Sequence, residues 1–343
     1  MADKKIGPKT SISAPEHQKN SITNQAISIR SGSHPRLPAM PTTRVADNFR
    51  DLSDCCPSLL RKGLLFRSST PWCANATDVQ WLVNDLKITT VLDLRTDFER
   101  TQTYAAESQG ELCRQKNVRV VQVALINQSA MGQYLFSVAD WTTRFFFLGM
   151  MVGVCTPESM SHRINPLVAR GGLLRMYISF VEDSQKDLLK CFETMVLGVP
   201  MVVHCTSGKD RTGVLCALVL NLCGVKDAVV FEDYHQTEMY VQELFANPNN
   251  PTVAHFGSSF PEMQLAPKEI MKQLFRHIRL KYNSIEEYVD DVVGFGKDNR
   301  RALVNKLVQP MKEERGVRVK ERMLVPPQLR SHGKPARHPG CKL

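Results

Sequence analysis

The stretch that decides the reading is VPMVVHCTSGKDRTG, Val199 to Gly213. An apolar run ends at Val202 and Val203. His204 and Cys205 follow, then the small or charged Thr206, Ser207, Gly208, Lys209 and Asp210, and Arg211, Thr212 and Gly213 lead into the apolar run Val214 to Leu222. This order predicts a strand, a tight loop and a helix. Five residues separate Cys205 from Arg211, so the two face each other across the loop.

A loop that opens a helix turns successive backbone N–H groups inward, and the helix start adds partial positive charge. That arrangement suits a phosphate dianion. Arg211, planar and always charged, can grip two phosphate oxygens at once. A cysteine at such a helix start, beside cations, favours its thiolate, and a thiolate beneath a held phosphate is placed to attack phosphorus. The product is a phosphocysteine, which water then hydrolyses. Gly208 lets backbone approach closely, and Gly213 allows tight packing of the new helix. A nucleotide-binding loop does not fit: it needs glycine where Val203 stands and Ser or Thr where Asp210 stands.

At these residues the sequence resembles a known family. His204-Cys205, five residues, then Arg211-Thr212 is similar to the signature of the cysteine-dependent protein-tyrosine phosphatases. The fuller form His-Cys-x-x-Gly-Lys-Asp-Arg-Thr-Gly resembles the atypical bacterial- and fungal-type enzymes sometimes called triple-specificity phosphatases. Asn48 to Leu52 (NFRDL), Gly63 to Ser68 (GLLFRS), Thr90 to Arg95 (TVLDLR) with Glu99, Asp233-Tyr234 and Tyr282 to Val289 (YNSIEEYV) resemble further landmarks in the same order. The resemblance spans about residues 41 to 310. Strand-loop-helix order points to an α/β protein on its own. The resemblance implies the tyrosine-phosphatase fold, with a central, largely parallel sheet flanked by helices and a helical insert. A rhodanese-like sulfurtransferase, the other cysteine-loop class considered, has a shorter loop.

The expected roles follow. Cys205 is the nucleophile. Arg211 binds the phosphoryl oxygens, together with the backbone of Thr206, Ser207, Gly208, Lys209 and Asp210. His204 supports the loop, and Thr212 assists the thiolate through its hydroxyl. A general acid must protonate the leaving oxygen, and the candidates are Asp210, inside the loop, and Asp97, just past a strand end, where α/β sites collect. Asp97 has a second reading as a helix N-cap, and Asp210 as a partner for Lys209 or Arg50. Lys209 either adds a cation that favours highly charged phosphates, or faces solvent or pairs with Asp210. The resemblance thus implies a phosphatase acting on phosphotyrosine, with phosphoserine, phosphothreonine and phosphoinositides as further substrates. The alternatives are a phosphoinositide phosphatase working at membranes and a phosphate-binding module without turnover. No cofactor is implied, and no spacing suits zinc.

The chain has 343 residues, a net charge of +10 and an ordinary 43% of hydrophobic residues, enough for a large core. Its charge is uneven. Residues 1–40 hold six Lys/Arg and two Asp/Glu, residues 312–343 hold nine and three, and 41–311 hold 29 of each. The excess belongs to the tails rather than to a nucleic-acid surface. Both tails are expected to be disordered and to offer at most weak attraction to acidic membranes. Residues 41–311 form the expected catalytic domain. Ten cysteines without a C-x-x-C pair suit a reducing compartment. The opening MADKKIGPKTS lacks an apolar core, and Phe145–Val154 is shorter than the about 20 residues of a membrane span, so a cytoplasmic location is expected.

Along the chain, a strand is expected near 64–67. Thr77-x-x-Gln80 reads as a capping box before a helix with Trp81, Leu82 and Leu86 on its face. Strands follow at Ile88–Leu94 and Val118–Val123. Residues 124–178, rich in Met and aromatics, read as a helical insert or lid. Ser184 caps a helix carrying Leu188, Leu189, Phe192, Met195 and Val196, which ends at Gly198. Beyond the loop helix, Asp227–Gln236, a helix opened by Pro267, a helix capped by Ser284 and a last one at Ala302–Val308 complete the pattern.

Overall fold

The structure is a computed structural model. It describes residue 46 and residues 48–71, 76–102, 117–126, 132–133, 135–137, 139–151, 172–246 and 265–310. Both basic tails, the loop 247–251 and much of 124–178 lie outside the described residues.

Five strands form one sheet: β1 (Arg50–Asp51), β2 (Leu65–Ser68), β3 (Thr90–Asp93), β4 (Arg119–Gln122) and β5 (Met201–His204). Their spatial order is β1-β2-β5-β3-β4. Only β1 runs antiparallel, against β2; β2, β5, β3 and β4 are mutually parallel. β2, β3 and β5 are buried along their whole length, as parallel strands covered on both faces must be. β4 at the edge is more exposed.

The last strand in sequence therefore lies in the middle of the sheet. In register, Ser68 and Asp93 both sit beside His204. Three chain segments leave the sheet at one level, after Ser68, Asp93 and His204, which is where ligands of open α/β sheets gather.

The helices are α1 (Ala76–Gln80), α2 (Asp97–Gln102), α3 (Trp141–Met151), α4 (172–182), α5 (Gln185–Leu197), α6 (Asp210–Leu222), α7 (Asp227–Ala246), α8 (Lys268–Tyr282), α9 (Ile285–Glu287) and α10 (Lys297–Leu307). α6 is apolar all round and buried from Thr212 through Leu220, as such a helix requires. Leu188, Cys191, Phe192 and Met195 of α5 and Met271, Leu274, Phe275 and Ile278 of α8 join it in the main core. Within 124–178 the described residues include α3 and the start of α4.

Several ends differ from expectation. α1 starts at Ala76, so Thr77 lies inside its first turn instead of capping it. Ser184 occupies the cap position of α5, but its backbone (φ −123°, ψ 29°) is not that of a side-chain cap, and its hydroxyl is buried without a partner. Ser284 does cap α9, accepting from the Glu287 N–H at 3.0 Å. α7 runs ten residues past Gln236, to Ala246, and α10 starts at Lys297 rather than Ala302.

Candidate active site

Cys205 follows directly on β5 and is 1% exposed. From here to the start of α6, carbonyls and amides have opposite fates. The carbonyl of Cys205 accepts from the Thr70 hydroxyl at 2.8 Å, and that of Thr206 from the Thr70 N–H at 3.0 Å. The Asn48 amide donates to the carbonyls of Ser207 (3.3 Å) and Gly208 (3.0 Å), and Arg67 Nη2 also donates to Gly208, at 2.9 Å. All four carbonyls thus point away from the site. The N–H groups of Thr206, Ser207, Gly208 and Lys209 donate to no group among the described residues. α6 likewise begins without a side-chain cap. An open row of amides at a helix start is an anion site.

The loop's turn depends on glycine. Gly208 has φ +69°, and a Cβ there would lie 2.3 Å from the Ser68 carbonyl oxygen, so any side chain would push the loop off β2. At Gly213 a Cβ would approach the Tyr234 ring to 3.1 Å, the tight packing expected of this position.

The loop is held from behind by buried charge. Asp233 of α7 binds Arg50 Nε at 2.9 Å and Arg67 Nη1 at 2.6 Å. Burial raises the Asp233 carboxyl, and the two guanidiniums more than reverse this and hold it below its ordinary value. Arg50 also hydrogen-bonds the Asn48 side chain, Thr237 and the Asp233 carbonyl. NFRDL, GLLFRS and the Asp-Tyr pair are therefore one assembly that braces the loop.

On the other side stands Glu99 of α2. Arg211 Nη1 donates to Glu99 Oε2 at 2.6 Å, and Nη2 to Oε1 at 2.5 Å. Thr206 Oγ1 donates to Oε1 at 2.8 Å. Thr96 caps α2: its hydroxyl accepts from the Glu99 N–H at 3.2 Å, while Glu99 Oε2 accepts from the Thr96 N–H at 2.9 Å. This is a capping box whose glutamate also orients the arginine. Burial would raise the Glu99 carboxyl, but Arg211 brings it down to about 2. Sequence reasoning quoted Glu99 within a motif and assigned it no role. The signal was present in Thr96-x-x-Glu99.

Asp97 is the first residue of α2. Its side chain is 92% exposed and pairs with Arg100 at 2.5 Å, and the cap position belongs to Thr96. Among the described residues Asp97 makes no contact with the loop. Asp210 is inside it: Oδ1 accepts from Lys209 Nζ at 2.6 Å and from the Tyr177 hydroxyl at 2.7 Å. Lys209 is 2% exposed, with a second bond from Nζ to the Leu265 carbonyl at 3.3 Å. It pairs with Asp210 rather than facing out.

His204 is buried. Its Nδ1 lies 3.1 Å from the Cys205 carbonyl, and Nε2 lies 3.9 Å from Asp93 Oδ1. Burial lowers its pKa, with Asp93 opposing, so it is neutral near pH 7. The Thr212 hydroxyl is buried without a hydrogen-bond partner. Burial pushes Cys216 up to about 11 and Cys55 up to about 12, which marks them as inert thiols. Among the described residues no three His, Cys, Asp or Glu side chains form a metal-ligating group.

Comparison with known proteins identifies the family. The tyrosine phosphatase family matches residues 41–309, and the chain belongs to that family. Over 132 residues it is 27% identical to the triple specificity protein phosphatase PtpB of Mycobacterium tuberculosis, covering 36% of this chain and 48% of that protein. Over 68 residues it is 32% identical to a tyrosine-protein phosphatase of Nostoc commune, covering 19% and 23%. These matches span about half and about a quarter of those relatives. The catalytic core of the PP-IP phosphatase Siw14 from S. cerevisiae aligns with 71% of this chain and 96% of its own, at 16% identity and a TM-score of 0.33. No helix among the described residues is long and apolar enough to cross a membrane.

Proposed function

We propose that this chain hydrolyses phosphotyrosine monoesters through a phosphocysteine intermediate. The observation that carries the reading is the loop itself: the amides of the four residues after Cys205, which have no partner among the described residues, and Arg211 held by both oxygens of Glu99. The phosphate sits in the amide row with Arg211 on its oxygens. The Cys205 thiolate forms the S–P bond as the P–O bond to the leaving group breaks, and Asp210 donates its proton to that oxygen. The Asp210 carboxylate then takes a proton from water. That water attacks phosphorus and breaks the S–P bond, releasing phosphate and restoring the thiolate. Asp210 is favoured over Asp97 because it alone contacts the loop. His204 and Thr212 support the loop and the thiolate.

The inward pairing of Lys209 removes it as a second phosphate-binding cation, which favours phosphotyrosine over phosphoinositides. The M. tuberculosis relative is named a triple specificity phosphatase, which supports including phosphoserine and phosphothreonine esters among the substrates. The described cysteines are free thiols, which fits a reducing, cytoplasmic setting.

The test is phosphate release by the protein and its Cys205→Ser variant from phosphotyrosine and phosphoserine peptides and short-chain phosphoinositides. Cys205-dependent release, greatest from phosphotyrosine, is expected. Phosphate binding without release from any substrate would replace the enzyme with a binding module.

A further inference from the structure

The acid-base role proposed for Asp210 leaves one question open: what holds a carboxylate in place at the first residue of a helix. A free carboxylate there is drawn to the helix-start amides, where it would compete with the phosphate. The answer comes from α4, which sequence reasoning treated as part of a packed insert. Tyr177 is fully buried, and its hydroxyl lies 2.7 Å from Asp210 Oδ1. Tyr234 of α7 is also fully buried, and its hydroxyl lies 2.8 Å from that of Tyr177.

The direction of this chain follows from proton counting. Each phenol has one proton. Tyr177 spends its proton on the carboxylate, so Tyr234 donates to Tyr177. Burial raises both phenols, and the negative charge of Asp210 raises them further, so both keep their protons and act as donors. The rings are fixed as well: Tyr177 stacks on Phe180 at 5.9 Å and meets Tyr234 edge-on at 6.1 Å.

We propose that Tyr177, backed by Tyr234, is the positioning residue for Asp210. Together with Lys209 it occupies Oδ1, so Oδ2 carries the proton delivered to the leaving group and later taken from water. This rests on the phosphatase reading above. It ties the insert to the chemistry: α4 supplies the brace without which the acid is present but unaimed.

The experiment uses Tyr177→Phe, which keeps the ring and removes the hydroxyl, with unchanged thermal melting as a control. Weakened acid catalysis harms poor leaving groups most. Tyr177→Phe should lower kcat/KM, which reports the steps up to formation of the phosphocysteine, about tenfold on a phosphotyrosine peptide and clearly less on 4-nitrophenyl phosphate. In an Asp210→Asn background it should cost nothing further, because the two act as one unit. Equal losses on both substrates, or a full additional loss in the Asp210→Asn background, would overturn the proposal. If Tyr177→Phe does not fold, Tyr234→Phe should show the same substrate-dependent loss at smaller size, and a uniform loss there would count against it. No phosphate release by the unaltered protein from either ester would instead remove the phosphatase reading, and this role with it.

Discussion

The loop between Cys205 and Arg211 has a back and a front, built on opposite terms. At the back, the four carbonyls from Cys205 to Gly208 are taken by Thr70, Asn48 and Arg67, and Asp233 pairs with two buried guanidiniums. At the front, among the described residues, the amides of Thr206 to Lys209 are open, the helix start has no side-chain cap and the Thr212 hydroxyl has no partner. A chain arranged for stability alone would have closed these groups. The loop's shape is held from behind, while under the proposed function the chemistry rests on the groups in front that have no partner among the described residues. Damage at the back should therefore appear as lost stability, and damage at the front as lost turnover in a folded protein.

The hardest blow to this contrast is Asp233→Ala, which leaves Arg50 and Arg67 buried without a counter-charge. It should cost about 3–5 kcal/mol in urea unfolding, a large share of a typical domain's stability. A loss under about 1 kcal/mol would mean the back does not store the shape.

Arg211→Lys is the matching change in front. It keeps the charge and loses the planar fork, so kcat should fall about 10²–10³-fold while thermal melting moves by only a few degrees. Unfolding in step with inactivity would erase the distinction.

Acid sharpens it further. Glu99 titrates near 4.5 when unfolded and is held to about 2 in the fold. Its contribution is full above the unfolded value and is lost as pH falls towards about 2. His204 works in the same direction from a higher starting pH: its folded pKa lies below 6.5, so below that value the unfolded chain takes up the proton first and stability drops. Thermal melting should decline steadily from about pH 6.5 downwards, and Glu99→Gln should flatten its lower portion. A melting profile of Glu99→Gln identical to that of the unaltered protein would separate Glu99 from this account.

The smallest effect expected is that of Thr212→Val. Removing a buried, unpartnered hydroxyl should leave stability unchanged or raise it by up to about 1 kcal/mol, while kcat falls several-fold. A clear loss of stability would show that the hydroxyl is already satisfied.

What was legible in the sequence was what is local. The strand, loop and helix around Cys205 lie within fifteen residues, with chemistry that few other loops share. The stripes on α5 and α8 declared their buried faces by spacing alone. Residues that act across the fold were not legible. Glu99 meets Arg211 from 112 positions away, and what brings them together is the parallel pairing of β3 with β5. Tyr177 sits among apolar and aromatic neighbours, where periodicity cannot tell a core ring from one whose hydroxyl is in use. Lys209 could have turned either way, and burial beside Asp210 decided it. α7 outran its expected end because no breaker stands between Gln236 and the Asn-Pro pair at 247–248.

The central claim is that Cys205 attacks phosphorus. The most direct measurement is a rapid acid quench of the protein with a phosphotyrosine peptide, followed by mass analysis. One phosphoryl group carried on the peptide containing Cys205, formed before phosphate appears and absent in Cys205→Ser, is the predicted result. Steady phosphate release that persists in Cys205→Ser, with no phosphorylated cysteine at any time, would contradict it.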